Sequence, residues 1–392
     1  MPQRKTFKYK LYTAKRNKKL HHLIEIGGAI YNHLLALHKR YYRLYKLYPS
    51  IYQIRAHITK LKRIPKYSWW KLLGSQAIQQ IAVRIDNGYQ QFFRNLKARK
   101  AGKTTRNVDS PTFRKISKAK SFTLAQAGWK LLGDNKLRIG KTIYKFFKSR
   151  EIEGVIKTVT IKRDALGDLY VYFSCIIESK PINRVMTGKS AGFDFGLVTY
   201  LTGSDGTTYQ APQPFKQYQR HIAQANRSLS HKAKGSHNRH KARQHLARTH
   251  RRVANIRQAF HWDLAYKLCN RYDAVYLETL NLQAMKVFWG RKVSDLGFGN
   301  FVSILHYVAS TKGAVVYSID RWFQSTKICS VCHQVNNHIT LRDRVWTCVF
   351  CSVTHQRDQN AATNIYQEGT SSYGGDPVRL ASASVDRRFQ NF

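Results

Sequence analysis

Four cysteines in two close pairs have the spacing that most clearly predicts chemistry. Cys329 and Cys332 form the first pair, Cys348 and Cys351 form the second, and fifteen residues separate the pairs. Thiolates at such a spacing can surround one zinc ion tetrahedrally, as a small structural zinc site requires. In a reducing compartment such pairs bind metal instead of forming disulfides. The sequence therefore predicts a structural Zn²⁺ site.

Three carboxylates stand at the ends of predicted elements. Asp194 interrupts an apolar strand, Glu278 ends a second one, and Asp358 begins a helix. Acids that converge at one edge of an α/β sheet repel one another and raise each other's pKa, and divalent cations remove this repulsion. Hard oxygen ligands select Mg²⁺ or Mn²⁺, and two such ions can hydrolyse a phosphodiester. The alternative is that these acids are helix caps or surface ion pairs.

The charge balance predicts a polyanionic partner. The chain of 392 residues has 68 Lys and Arg against 21 Asp and Glu, a formal net charge of +47. A nucleic acid would offset this self-repulsion, although a merely basic protein of the ribosomal type remains the alternative. Residues 1–120 contain 29 basic residues and only three acids, interleaved with aromatic residues. This composition is typical of a surface that follows phosphates and stacks on bases.

The length and the 43% hydrophobic content allow several domains with buried cores. Cys175 and Cys269 stand alone in apolar surroundings and are predicted to be buried thiols. No apolar run approaches 18 residues and no secretory signal is evident, so neither a membrane span nor an extracellular location is expected. We find no internal repeat.

Hydrophobic periodicity predicts helices followed by strands in the amino-terminal half. A strand in residues 1–20 precedes a helix from His21 to about Tyr48, a shorter helix to about Arg63, and a helix from Ser75 to Lys97. One face of the last helix contains Gln76, Gln80 and Arg84, which could reach base edges or could simply face solvent. The strands that follow predict a small barrel or sandwich, with the helices inserted after its first strand. These strands are Ser121–Ala125, Leu137–Ile143, Val155–Ile161 and Leu169–Ile177.

The carboxy-terminal half alternates strands and helices. The predicted elements are a strand at Ser190–Leu201, a long helical stretch, a strand at Ala274–Leu277, a helix near Asn300–Ser310, a strand at Ala314–Ile319 and a final helix from about Asp358. Between Gly206 and Trp262 there is no acid, although there are 12 Lys or Arg and seven His. A solvated helix face usually mixes both signs, so contact with a phosphate backbone is favoured. The candidate contacts are Lys232, Lys234, Arg239 and Arg243.

Several of these segments together resemble one family. GFDFGL, VYLETLNL and HQRDQNAATNI resemble the three RuvC nuclease motifs of TnpB proteins, and STKICSVC with RVWTCVFC resembles their zinc ribbon. The basic stretch from Ser230 to Trp262, SPTFRK and QQFFRNLK are similar to other parts of the same family. TnpB proteins are transposon-associated, RNA-guided endonucleases related to type V CRISPR effectors. The resemblance covers nearly the whole chain.

The resemblance implies a multidomain α/β plus α+β architecture. An RNase H-like RuvC nuclease domain would contain an inserted zinc ribbon, beside a β-barrel wedge domain and a helical recognition insertion. The implied ranges are 1–20 for the first wedge strand, 21–102 for the recognition helices, 103–185 for the wedge barrel, 186–323 for the RuvC domain, 324–354 for the zinc ribbon, 355–368 for the final RuvC helix and 369–392 for a flexible tail.

The resemblance also implies an activity and partners. Asp194, Glu278 and Asp358 match the catalytic acids that bind Mg²⁺ or Mn²⁺, and the four cysteines match the zinc ligands. A guide RNA and a double-stranded DNA target with a short adjacent motif would be the partners, in a prokaryotic cytoplasm near the nucleoid, with a monomer favoured. The alternative is a nuclease-inactive RNA-guided DNA-binding protein, which usually lacks one of the acids. A transposase is disfavoured because the ribbon separates the second and third acids.

The sequence departs from the family's pattern at the ribbon. His333 and Ser352 replace the glycines that commonly follow each cysteine pair, where glycine eases a positive φ. His355 is expected to support the site or the nucleic acid rather than to bind zinc. Met285–Phe301 resembles a mobile loop over the active site, with an ordinary surface loop as the alternative, and Asp295 within it is not expected to be catalytic.

Overall fold

The computed structural model describes residues 3–104, 107–178, 182, 184–340 and 342–373. The chain divides into two compact units, Met1–Lys180 and Pro181–Phe392, which we refer to as the amino-terminal and carboxy-terminal units. This boundary lies close to the one predicted after residue 185. The finer division into named domains stays a prediction, and residues 374–392 of the predicted tail lie outside the described residues.

Two antiparallel sheets form the β-structure of the amino-terminal unit. Strand β1 pairs with β7 in a four-stranded sheet of order β1-β7-β6-β2, and β3, β4 and β5 form a second sheet. Leu169, Val171 and Phe173 alternate with less buried residues in β7, as strand periodicity predicts. The strands are β1 (Gln3–Lys10), β2 (Ser121–Leu124), β3 (Trp129–Leu131), β4 (Lys136–Ile139), β5 (Thr142–Lys145), β6 (Val155–Arg163) and β7 (Leu169–Ile177).

The structure corrects two predictions for these strands. Segment Leu137–Ile143 is a hairpin of β4 and β5 rather than one strand, because Gly140 adopts a positive φ of 55° and allows a tight turn. Among the described residues, the two sheets are open and are linked by an isolated bridge between Leu11 and Phe146. They therefore do not form a barrel closed by one continuous ladder.

The predicted helices lie between β1 and β2. They are α1 (Asn17–Tyr45), α2 (Ile51–Leu61), a 3₁₀ helix at Pro65–Leu73 and α3 (Ser75–Lys100). Ser50 and Gln53 form a capping box that starts α2. The apolar face of α3 is buried through Ile78, Ile85 and Tyr89, whereas Phe93 is 43% exposed.

A mixed five-stranded sheet is the centre of the carboxy-terminal unit. Its order is β10-β9-β8-β11-β12, with β8, β11 and β12 parallel and β9 antiparallel to β8. The strands are β8 (Ser190–Phe195), β9 (Leu201–Gly203), β10 (Thr208–Tyr209), β11 (Ala274–Leu277) and β12 (Val315–Ser318), and the ribbon adds β13 (Val345–Thr347) and β14 (Thr354–Gln356). The helices are α4 (Pro214–Ser230), α5 (His237–Arg271), α6 (Leu282–Leu296), α7 (Phe298–Lys312) and α8 (Arg357–Tyr373). No described helix is both long and apolar enough to cross a membrane.

Three predictions for this unit were wrong. Segment Ser190–Leu201 is a hairpin of β8 and β9, closed by a hydrogen bond from the Gly196 N–H to the Tyr200 carbonyl. Met285–Phe301 is helical rather than a loop, with a kink at Trp289 and a left-handed Gly297 between α6 and α7. Helix α8 ends at Tyr373, five residues beyond the predicted boundary at 368. Asp295 accepts hydrogen bonds from the first amides of α4 and so caps that helix.

A buried ion pair fixes the segment that leads into β8. The Arg184 guanidinium lies 2.8 Å from Asp273, whose side chain is fully buried, and donates to the carbonyls of Cys269 and Tyr272. Removing the cation leaves an uncompensated buried carboxylate, so we expect Arg184→Ala to lower the free energy of unfolding by about 3–5 kcal/mol. Urea denaturation of the purified chain measures this change.

The exposed pair of Lys267 and Asp263 on α5 provides the matched control. Lys267→Ala should change the free energy of unfolding by less than about 0.5 kcal/mol. Burial alone would raise the pKa of Asp273, but hydrogen bonds from Thr187, Arg184 and Gly188 outweigh it and hold the pKa below its usual value. The stabilisation is therefore present above about pH 4 and is lost as the pH falls further. Equal effects of the two substitutions would contradict this account.

Candidate functional site

Parallel pairing brings two of the predicted acids together at one edge of the sheet. Leu277 lies opposite Phe193, so the next residues, Glu278 and Asp194, are neighbours across β11 and β8. The Phe195 N–H donates to Oε1 of Glu278 at 3.3 Å, which ties the end of β8 to the second acid. Both side chains are only partly accessible to solvent. The carboxyl ends of parallel strands thus form the acid edge, as the sequence predicts.

The acid edge strongly disfavours full ionisation. Burial raises the pKa of Asp194 well above its ordinary value, and the carboxylates of Glu278 and Asp358 raise it further, while Arg357 opposes them. Burial also raises the pKa of Glu278 to about 7. The charges of both other acids thus act on Asp194. Among the described residues, however, only the four cysteines come close enough together to form a metal-binding group as they stand. A divalent cation would stabilise the charged forms of the three acids.

Helix α8 brings the third acid, Asp358, to this edge in its first turn. The helix backbone packs directly on β8, because Gly192 has no side chain and lies against Ala362 and Tyr366. Two guanidinium groups contact Asp358: Arg344 reaches Oδ2 at 3.2 Å and Arg357 reaches Oδ1 at 2.9 Å. Asp358 thus begins the helix that packs on β8, and its charge is balanced by arginine.

A second face of α8 holds the segment that contains the first cysteine pair. Asn360 accepts a hydrogen bond from the Ser330 N–H and donates to the Ile328 carbonyl. Asn364 donates to the carbonyls of Ser325 and Ile328 at 2.8 and 2.6 Å. Both asparagines are almost fully buried. Their bonds connect the cysteine segment to the helix that begins with Asp358.

The four predicted cysteines form one cluster. All four Sγ atoms lie within 4.8 Å of one another, and those of Cys329 and Cys351, and of Cys332 and Cys348, are 3.6 Å apart. A tetrahedral ion with Zn–S bonds of about 2.3 Å spaces its sulfurs by about 3.8 Å, whereas a disulfide needs about 2.05 Å. The donor set and spacing therefore fit zinc.

His355 supports the cysteine cluster. Its Nε2 lies 3.0 Å from the Cys329 Sγ, and its ring packs on Trp346. A ring N–H at that distance can donate to a zinc-bound thiolate, a contact that orients metal ligands in many sites. His355 lies next to the ligand Cys329 and is not part of the close four-sulfur group.

The residues after each cysteine pair are strained. His333 and Ser352 have φ of 60° and 59°, and their N–H groups donate to the Cys329 and Cys348 carbonyls. Both side chains are exposed, so replacing either residue by glycine is expected to change stability through the backbone conformation alone. We expect His333→Gly and Ser352→Gly each to raise the stability of the zinc-loaded protein by about 1 kcal/mol. Thermal unfolding with added Zn²⁺ measures the change.

Ser330→Gly serves as the matched control, since Ser330 lies in the same segment without a positive φ. There glycine only increases the entropy of the unfolded chain and should lower stability by about 0.5–1 kcal/mol. A fall in stability for all three variants would show that the two positive-φ positions are not strained.

The proposed nucleic-acid contacts differ in accessibility. Arg84, Lys232, Lys234 and Arg243 are exposed, whereas Gln76 and Gln80 are partly buried. Arg239 donates to the carbonyls of Leu229 and Lys232 at 2.8 Å and so closes the turn between α4 and α5. One nitrogen of its guanidinium, Nη1, is therefore engaged within the chain. None of these contacts is tested by the structure, and they stay predictions.

Sequence reasoning missed the residues that connect the acids to the cysteine cluster. Asn360, Asn364 and Gln367 recur at helical spacing and bond to the same cysteine segment. This spacing indicates a polar helix face and could have been recognised in the sequence. Arg344, which contacts Asp358 from the residue before β13, gave no such signal.

Two family models and a solved structure match this chain. A family model described as "Probable transposase" matches residues 173–288, and one described as "Cas12f1-like, TNB domain" matches residues 298–365. A solved structure, "Cryo-EM structure of the Cas12f1-sgRNA-target DNA complex", matches with a TM-score of 0.56 at 12% identity, over 93% of this chain and 98% of that chain. The protein thus has a mixed α/β fold like that of Cas12f1.

Two curated relatives extend over most of the chain. A protein of Streptomyces pristinaespiralis named "Putative RNA-guided DNA endonuclease" is 30% identical over 384 residues, covering 96% of this chain and 92% of the relative. InsQ of Escherichia coli (strain K12), which has the same designation, is 24% identical over 87% of this chain and 86% of the relative. The chain belongs to the TnpB family.

Proposed function

We propose that this protein is an RNA-guided DNA endonuclease that cuts DNA at the acid edge formed by Asp194, Glu278 and Asp358. The observation that supports this best is the convergence of these carboxyl groups from two strands and a helix start. A chain of net charge +47 is suited to hold both a guide RNA and a DNA target. Its relatives' names point to the same activity.

The acid edge fits a divalent cation by the chemistry of its donors. Asp194, Glu278 and Asp358 offer only hard oxygen atoms, which suit Mg²⁺ or Mn²⁺. When bound, such ions activate water and stabilise the leaving oxygen of a phosphodiester. Asp194 and Glu278 would hold the metal from the strands, and Arg357 would keep Asp358 oriented. This donor set supports hydrolysis at a RuvC-type site.

The four cysteines would hold a structural Zn²⁺ ion, because all four positions are thiolates and none is left for water. The bonds from Asn360 and Asn364 would then carry the rigidity of the ribbon to α8 and to Asp358. The zinc site therefore supports the acid edge mechanically and takes no part in the chemistry.

Sequence selection would be divided between RNA and protein. Base pairing with the guide would read the target, while the protein would read backbone geometry and a short adjacent motif. The exposed basic residues of α5 and the basic helices of the amino-terminal unit would contact phosphates. This division of labour would explain why the surface is strongly basic although the protein itself reads only a short DNA motif.

Isolation of the natural RNA tests this function. The RNA that copurifies with the full chain is sequenced, and a plasmid library with a matching target beside a randomised flank is incubated with the complex and Mg²⁺. We expect linearised plasmid from one set of flanks and none with EDTA. Binding without cutting would favour the nuclease-inactive alternative, and the absence of RNA-dependent binding would contradict both.

A further inference from the structure

Trp322 is the most exposed of the seven tryptophans, with 83% of its side chain accessible. Exposed tryptophan is unfavourable in water unless a partner covers it, because its indole is one of the largest apolar surfaces. In the sequence, Trp322 follows Asp320 and Arg321, which are also exposed. The loop after β12 thus presents an aromatic ring beside a cation.

The loop backbone is held in place. The carboxylate of Asp320 accepts a hydrogen bond from the Trp322 N–H at 2.7 Å, which forms an Asx turn. On either side, Ile319 is buried and Phe323 packs against the same apolar cluster. Trp322 therefore projects from an anchored turn, so little conformational entropy opposes the stacking of a ligand on it.

This turn is attached directly to the acid edge. The Ile319 N–H donates to the Leu277 carbonyl at 2.9 Å, and the Thr279 hydroxyl donates to the Ile319 carbonyl at 2.7 Å. Leu277 and Thr279 are the two neighbours of Glu278. The loop of Trp322 is thus bonded to the chain on both sides of the second acid. A strand held by Trp322 would pass close to the carboxylates.

The surroundings favour a nucleic-acid strand as the occupant. Arg321 lies beside Trp322, and Arg344 stands next to Asp358. Cations of this kind attract phosphates, and an indole face binds any unpaired base. A base inside a duplex has both faces covered, so only an unpaired strand can stack. In the proposed function, the opened target supplies such a strand.

We propose that Trp322 is a base-stacking subsite that positions an unpaired DNA strand at the acid edge. This inference rests on the proposed endonuclease function and adds a substrate-positioning residue to it. Trp322 binds no metal and transfers no proton. It acts by fixing one nucleotide, so that a neighbouring phosphodiester lies at Asp194 and Glu278.

A substitution cycle between protein and DNA tests the subsite. The RNA-bound full chain is given a matched single-stranded DNA target in which one base at a time is replaced by an abasic site. We expect one or two positions near the cut at which the wild-type protein loses about tenfold or more in kcat/KM. Trp322→Ala should show a similar loss on intact DNA and little further loss at those positions, while Trp322→Phe should retain most activity.

Tyr266→Ala is the matched control. Tyr266 is an exposed aromatic residue near the end of α5, which leads into the amino-terminal end of β11, away from the acid edge. It should cut intact DNA as the wild type does and keep the same abasic sensitivity. Unchanged cutting by Trp322→Ala, or abasic effects that persist in it, would overturn the stacking proposal while leaving the nuclease intact. If the wild type cuts no matched DNA, the proposed function fails, and the subsite fails with it.

Discussion

Asp194→Asn is expected to lower DNA cleavage by at least about a thousandfold while leaving RNA and target binding unchanged. The substitution keeps the shape of the side chain but removes a carboxylate oxygen that would hold the divalent cation. A bound metal supplies several kcal/mol of transition-state stabilisation. Losing about 4 kcal/mol of it lowers the cleavage rate about a thousandfold. Single-turnover cleavage of a matched plasmid measures the rate, and a mobility shift measures binding.

The prediction for Asp194→Asn can also be tested by measuring metal binding, which does not depend on DNA cleavage. Titration with Mn²⁺, followed by its electron paramagnetic resonance signal, should show sites in the wild type that are weakened in Asp194→Asn and Glu278→Gln. Asp263→Asn is the matched control, because Asp263 is an exposed acid on α5 that pairs with Lys267. Full activity of Asp194→Asn would show that the acid edge is not the nuclease site.

Cys348→Ser should have the second large effect, a collapse of the ribbon together with loss of cleavage. Binding of zinc to small cysteine sites contributes about 10–16 kcal/mol of folding free energy, and one weakened ligand removes much of it. Since α8 is bonded to the cysteine segment through Asn360 and Asn364, Asp358 should lose its fixed position. Zinc content, limited proteolysis and the cleavage rate would be measured on the same preparation.

Two further variants distinguish the effect of losing zinc from the effect of breaking the contact between the cysteine segment and α8. Cys269→Ala removes a buried thiol outside the cluster and should leave zinc content and cleavage close to those of the wild type. Asn364→Asp keeps all four cysteines but turns a carboxylate toward two carbonyl oxygens, so it should retain zinc and still lose cleavage. Normal cutting by zinc-free Cys348→Ser would contradict the coupling between ribbon and acid edge.

The sequence predicted the cysteine cluster and the neighbouring strand-end acids better than it predicted the local structure. The cysteines and acids were recognisable because each stands out in its segment, and strand Ala274–Leu277 was predicted with its observed bounds because it is short and wholly apolar. The turn within Ser190–Leu201 was missed because apolar residues continue through it, although Gly196 was a signal. Helix α6 was predicted as a loop because Met285–Phe301 resembles a mobile loop of the family, while its cap at Asn281 and its buried Val293 favour a helix.

The contacts of Asp358 could not have been predicted from spacing. Arg344 reaches it only because β13 pairs with β14, which places the two residues side by side. Likewise, the role of Gly192 depends on how closely α8 approaches β8. Both are outcomes of tertiary packing, for which a single sequence gives the residue types but not the partners.

The pairing of β1 with β7 affects how the chain is made. Lys10 pairs with Tyr170, so β1 finds its partner only after the whole helical insertion has been synthesised. Contacts so distant in sequence close slowly, and until then the edges of β1 are open to wrong partners. The basic side chains of β1 keep it soluble during this delay. Once Ile177 has emerged, all the described strands of the amino-terminal unit are available, and the unit can complete its fold while Asp194, Glu278 and Asp358 are still being translated.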